Sequence, residues 1–304
     1  MSARVPSIAR LDAERNAPPA HVWTILLTGD ALPARNGRYR GRGCRTSARW
    51  PVATTAATRT QRTLQRAARL APAGQTIAAV TRQRAAAWDA ELAAVPQVQR
   101  LVQPVDRGRA AEVLLPLLKI ARHDPSATVI VLPAEPGVDL DARFLRYVTR
   151  AVWAVVLRPD LPIVIGAHPD APAVDGWIEP GAPVEGLEDL AVRAVKSFVD
   201  DASPAERRRL FDADALTTTG TFVGRAGTLR GLAARALPEV LEALEPLEQA
   251  FGRPEESLLC EAVYECMPHV GLAPLQRAPG LAVLALPDVV WRAPEQETLE
   301  LLAS

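Results

Sequence analysis

Ordered alternation is the feature that most narrows what this chain can fold into. Over much of its length, short apolar runs of strand size take turns with longer stretches whose apolar residues recur at helical spacing. The strand-like runs are residues 21–29, 76–80, 100–102, 128–132 and 162–166. Between them lie helical patterns at Arg59–Leu70, 82–93, 109–122 and Asp141–Leu157. Ala110, Val113, Leu114, Leu117, Leu118 and Ala121 mark one face of the third. Such alternation predicts a single α/β domain with a mostly parallel sheet and helices on both faces. Beyond residue 170 the pattern loosens. Residues 172–183 read as a loop or hairpin, 188–199 and 217–223 as strands, 204–211 as a helix, and 229–268 as mostly helical, with a strand pair over 281–291 closing the order.

Composition matters here for what it excludes. With 48% apolar residues in 304, a sizeable core can be buried. Lys+Arg and Asp+Glu are 35 each, so no net charge draws the chain to nucleic acid or to an anionic membrane. No apolar run approaches the roughly 20 residues that cross a bilayer. Residues 1–20 read as a polar leader without an apolar signal region, and residues 21–304 as the domain. Three cysteines do not close a disulfide framework, which points to a reducing, cytoplasmic setting. Cys260, Cys266 and His269 share a helical segment, but the cysteines are spaced for different faces and read as buried apolar residues.

In open α/β sheets ligands sit beyond the carboxyl ends of the strands, so the strand-to-helix loops should carry any chemistry. QRTLQRAARL, VTRQ, QPVDRG and LLPLLKIARHDP, followed by GWIEPG and RAPGLAVLALPDVVW, stand in order along the chain. Together they resemble the mannose-1-phosphate guanylyltransferase branch of the sugar-1-phosphate nucleotidyltransferase family, from about Trp23 to Leu301. The resemblance implies a Rossmann-like, nucleotide-diphospho-sugar transferase-like fold. It also implies a reaction joining a nucleoside triphosphate to a sugar 1-phosphate with release of pyrophosphate. Positioning and neutralisation of phosphate charge by glycine-rich backbone, cations and Mg²⁺ would carry that reaction.

Matched position by position, much of that equipment is altered. The triphosphate loop L-A-G-G-x-G-T-R keeps Gly29, but Asp30 and Leu32 replace two glycines and Arg35 stands near the lost arginine. The lysine of R-P-K-Q-F falls on Ala48, with Arg49 as a displaced cation. The base loop Q-P-x-N-R-G-T-A is the best kept, as Gln103, Pro104, Asp106, Arg107 and Gly108, with Arg109 in the threonine's place. Gly108 is expected to open a helix whose amino end faces the ligand, or to serve that helix alone. The metal-binding aspartate of L-P-S-D-H becomes Glu135, and where a second acid is expected after Trp291 the run Arg292-Ala293-Pro294 offers an arginine and no carboxylate. Glu135 is thus the Mg²⁺ candidate, with a salt bridge as its competing role. On the sugar side Gly176, Glu179 and Thr218 hold motif positions, while the phosphate-facing lysine of F-V-E-K-P is Asp201.

The resemblance therefore implies a divergent nucleotidyltransferase-like protein that binds a nucleotide or nucleotide-sugar and is impaired in transfer. Two alternatives stand beside it. One is an active enzyme with Arg35 and Arg49 on the phosphates and a sugar 1-phosphate as second substrate. The other is a non-enzymatic regulatory or scaffold subunit that pairs with itself or with an active paralogue. An arginine cluster from Arg35 to Arg49, with Tyr39 and Trp50, could grip phosphates or form a solvated loop; no nucleic-acid partner is expected.

Overall fold

The computed structural model describes residues 21–28, 59–133, 141–172 and 176–287. The expected leader, Gly29, Arg35, Arg49, Glu135 and the segment after Trp291 lie outside these residues.

The strands are β1 (Val22–Leu27), β2 (Thr76–Thr81), β3 (Gln99–Gln103), β4 (Thr128–Pro133), β5 (Ile163–Ala167), β6 (Trp177–Pro183), β7 (Val192–Val199), β8 (Leu216–Arg225) and β9 (Ala282–Leu286). The helices are α1 (Arg59–Leu70), α2 (Arg82–Leu92), α3 (Arg109–His123), α4 (Asp141–Leu157), α5 (Pro204–Asp212), α6 (Ala226–Ala236), α7 (Pro238–Ala250), α8 (Glu256–Cys266) and α9 (Ala273–Arg277). The strands form one sheet in the order β3-β2-β1-β4-β8-β5-β9-β7-β6, and β6 pairs back onto β8. That last pairing closes β8, β5, β9, β7 and β6 into a ring attached to an open half.

The expectation of a mostly parallel sheet is corrected. Parallel pairing joins β3, β2, β1 and β4, and β5 with β9. Pairs β4–β8, β5–β8, β6–β7, β6–β8 and β7–β9 are antiparallel. The reason lies in the connections. Helical crossovers keep the chain running in one direction through the first half, whereas the short link from β6 to β7 reverses it, so β7 and β8 run against the other strands until helices α6–α9 turn the chain back into β9. Residues 177–183, expected within a loop or hairpin, form β6. Its Pro180 and Pro183 coincide with register irregularities against β7, the setting in which a strand tolerates proline. Of the strand pair expected over 281–291, β9 is the part that lies among the described residues.

Helices cover both faces, as expected. One apolar layer packs Leu114, Leu117 and Leu118 of α3 with Leu232, Leu244 and Tyr264 against Ile25, Val129 and Val131. The opposite layer packs Leu64 and Leu70 of α1, Trp88 of α2 and Phe144, Val148 and Val155 of α4 against Leu26, Ile130 and Ile165. Alternate residues of β1 and β4 enter opposite layers because strand side chains have a period of two. Burial on both sides explains why these strands read as continuous apolar runs. Among the described residues, no helix is long and apolar enough to cross a membrane.

Candidate functional site

The pairing directions bring the carboxyl ends of β1, β2, β3, β4, β5 and β9 to one edge, and β8 contributes its amino end there. The described candidate residues gather along this edge in two groups. Gln103 ends β3, and Arg107 and Gly108 stand beyond it. Gly176, Glu179 and Thr218 stand at β6 and β8. Pro133, which ends β4 between them, lies 3.0 Å from where a Cβ on Gly220 would sit.

Gln103 is 2% exposed, and its Nε2 has no hydrogen-bond partner among the described residues. A buried amide nitrogen left unpaired is costly, so this one calls for a partner such as an ordered water or a bound ligand. Arg107 is differently engaged. Its Nε donates to the Tyr264 carbonyl and its Nη2 to that of Glu265, both at 2.6 Å. The guanidinium thus covers the carboxyl end of α8, where cations are favoured. Gly108 holds φ +82°, and a Cβ there would meet the Val270 carbonyl oxygen at 2.4 Å. Its amide donates to Asp106 Oδ1 at 2.8 Å. The Val270 oxygen accepts the Ala110 amide, and the Val270 amide donates to the Arg107 carbonyl, each at 3.0 Å. The glycine is thus required by a backbone clasp, and the Ala110 donor at the amino end of α3 is already satisfied.

Sequence reasoning missed Glu112. It lies 8% exposed in the first turn of α3, and its carboxylate accepts the Thr28 amide just past β1. The Thr28 hydroxyl is itself tied to the Ala79 carbonyl at 2.7 Å. A carboxylate therefore stands at the carboxyl end of β1. The available signal was one acid in the otherwise apolar run Ala110–Leu118. Tyr264 is fully buried, its hydroxyl unpartnered among the described residues. Burial, with Cys260 and Glu112 nearby, pushes that phenol up.

The group at β6 and β8 is compact. The Thr218 amide donates to the Gly176 carbonyl at 2.8 Å, and a Cβ on Gly176 would lie 2.6 Å from Thr218 Cγ2. The Thr218 hydroxyl oxygen accepts Gln276 Nε2 at 2.9 Å and the Gly220 amide at 3.1 Å. Glu179 accepts the Ser197 hydroxyl from its β7 partner. Arg209 and Lys196 lie 3.5 and 3.9 Å from its Oε1. The Ser197 hydrogen bond, then these two cations, hold the Glu179 carboxyl below its ordinary value. Asp200 faces Arg277 at 3.6 Å. Gln276 and Arg277, also missed from sequence, belong to α9.

Glu135, the Mg²⁺ candidate, is outside the described residues, and among those described no three His, Cys, Asp or Glu side chains gather as a metal set. Cys260 is half-buried, its thiol pushed up to about 11 by burial and then by Glu261 and Glu256. Cys266 is exposed, which corrects the expectation that both cysteines are buried. A cavity beneath β4 and β8, walled by Val113, Leu117, Val131, Phe222, Leu229 and Leu272, offers a polar ligand no partner.

Fold and site together define a single-domain α/β protein with a nucleotidyltransferase-like fold and polar groups along its carboxyl edge. Among solved structures, mannose-1-phosphate geranyltransferase from Thermus thermophilus is similar, with a TM-score of 0.68 and 25% identity, over 88% of this chain and 74% of that one. Mannose-6-phosphate isomerase from Helicobacter pylori is similar in fold, with a TM-score of 0.66 and 15% identity, over 88% of this chain and 98% of that one. No protein-family model matches the chain, and no curated protein matches it. A transferase and an isomerase share this architecture, so function is argued from the site.

Proposed function

We propose that the protein binds a nucleotide or nucleotide-sugar along the carboxyl edge of its sheet, in the manner of a mannose-1-phosphate guanylyltransferase, and is impaired in nucleotidyl transfer. The orphaned amide of Gln103 carries this reading, because it lies in the loop that the resemblance assigns to the base. Gln103 and Thr218 belong to strands four spacings apart, about 19 Å, which suits an extended nucleotide-sugar. Impairment is supported by Glu112 at the entry to the triphosphate loop and by Asp201 in the place of a lysine. A carboxylate there repels the phosphates that a transferase must neutralise.

Titration calorimetry with GTP and GDP-mannose tests binding, and Gln103→Leu should weaken it about tenfold. Failure of both ligands to bind would overturn the proposal. Pyrophosphate release from GTP and mannose 1-phosphate with Mg²⁺ tests the impairment. Release at an ordinary enzyme rate that is lost in Glu135→Ala would establish the active alternative, with Glu135 as the residue that holds the ion.

A further inference from the structure

The resemblance places the phosphate-facing lysine of the sugar half at Asp201, which removes a cation and adds an acid. Two consecutive residues of α9 reach the same neighbourhood from elsewhere in the chain. Gln276, 8% exposed, donates through Nε2 to the hydroxyl oxygen of Thr218 at 2.9 Å. Arg277 Nη2 lies 3.6 Å from Asp200 Oδ2.

The chemistry of Thr218 follows from counting its lone pairs. A hydroxyl offers one donor and two acceptor positions. Gln276 and the Gly220 amide take both acceptor positions, so the remaining capacity of Thr218 is its hydrogen. It can serve only a ligand acceptor. Arg277 carries five N–H donors in a planar fork, and among the described residues the Asp200 contact leaves most of them unused, with the side chain 51% exposed. A fixed hydroxyl donor and a guanidinium on adjacent residues' contacts are complementary to one ligand class, a group with several anionic oxygens.

We infer that Arg277 supplies the cation for the phosphate of a sugar 1-phosphate, replacing the lysine lost at Asp201, and that Gln276 positions Thr218 as a donor to the same ligand. This assignment rests on the proposed nucleotide-sugar reading. Asp200 then has a definite role as the internal competitor that holds Arg277 when no phosphate is present.

Calorimetric titration of the full chain with mannose 1-phosphate, glucose 1-phosphate, free mannose and GTP tests the assignment. In Arg277→Gln, affinity for both sugar phosphates should fall about tenfold or more while GTP affinity stays within about twofold. Arg277→Lys should recover part of the loss, since it keeps the charge without the fork. Asp200→Asn should bind the sugar phosphates several-fold more tightly, because it releases the guanidinium. Gln276→Leu should weaken them less than Arg277→Gln does, and free mannose should be unaffected by Arg277→Gln. Thermal midpoints near wild type would show that the variants fold, as expected for an exposed ion pair. If wild type binds GTP but Arg277→Gln leaves the sugar phosphates unchanged, the assignment fails and the nucleotide reading stands. Equal weakening by Arg277→Gln and Asp200→Asn would also overturn it, as the mark of a structural pair. Binding of neither GTP nor sugar phosphate by wild type would overturn both readings.

Discussion

Gly108 and Glu179 show how much single residues decide at this edge. Gly108 is constrained twice, by φ +82° and by the Val270 carbonyl that a Cβ would strike. Gly186 offers the matched comparison, with φ +79° and nothing within 4 Å of a Cβ. Gly186→Ala should therefore cost only backbone strain, about 1–2 kcal/mol. Gly108→Ala should cost about 2–4 kcal/mol, since Val270 must also withdraw from the Ala110 amide. Urea denaturation of the two variants checks this, and equal costs would mean that the clasp contributes nothing. Glu179 makes a pH-dependent prediction. Its folded carboxyl lies below the ordinary 4.5 because Ser197 donates to it and because Lys196 and Arg209 are near. A depressed folded value gives stability that is complete above the unfolded value and fades as pH falls through the folded one. The stability difference between wild type and Glu179→Gln should therefore be largest near neutral pH and shrink from about pH 4.5 downward. Constancy of that difference down to pH 3 would show that the carboxylate is not preferentially ionised in the fold.

Elements depend on one another through such residues, and α8 depends on Arg107. Its last carbonyls have no partner within the helix and receive the guanidinium instead. Arg107→Ala should destabilise the protein by about 1–2 kcal/mol and speed amide exchange in the last turn of α8 and at Val270. Unchanged exchange there would make the contact incidental. The same contrast between local and distant causes explains what the sequence revealed. Arg59–Leu70 and Asp141–Leu157 were legible to the residue because helical period and burial face are local properties. β6 was hidden because Pro180 and Pro183 signal a loop unless a bulged strand position is known to await them. Strand direction was hidden too, since a doubly buried strand has one pattern whichever way it runs. At the candidate site, Gly176 and Thr218 were legible through motif resemblance, and the structure places them in contact. Glu112, Gln276 and Arg277 were not, because their partners Thr28, Thr218 and Asp200 are brought to them only by tertiary folding.

On the scale of the whole molecule, β8 joins what would otherwise be two units. Its residues Phe222–Arg225 pair with β4, the last strand of the open half, while residues from Leu216 to Val223 pair with β5 and β6 of the ring. Gly220, at φ +71°, and the register shift opposite Val164 and Gly166 let one strand serve both. Phe222 enters the α3 layer and Val223 the α4 layer, so the strand also ties the two apolar layers together. Such a strand cannot open without breaking both halves of the sheet. Amides of β8 and β4 should therefore exchange only through global unfolding, whereas β3, paired among the described residues by β2 alone, should exchange through a smaller opening. Native-state hydrogen exchange across increasing urea reads the difference directly. Protection of β8 should merge with the global stability from the lowest denaturant, and that of β3 should join it only later. If instead the ring from β5 to β9 exchanged with β8 as a separate, weaker unit, the edge would be made of two independently opening parts. The groups around Gln103 and Thr218 could then not be held at a fixed spacing for one extended ligand.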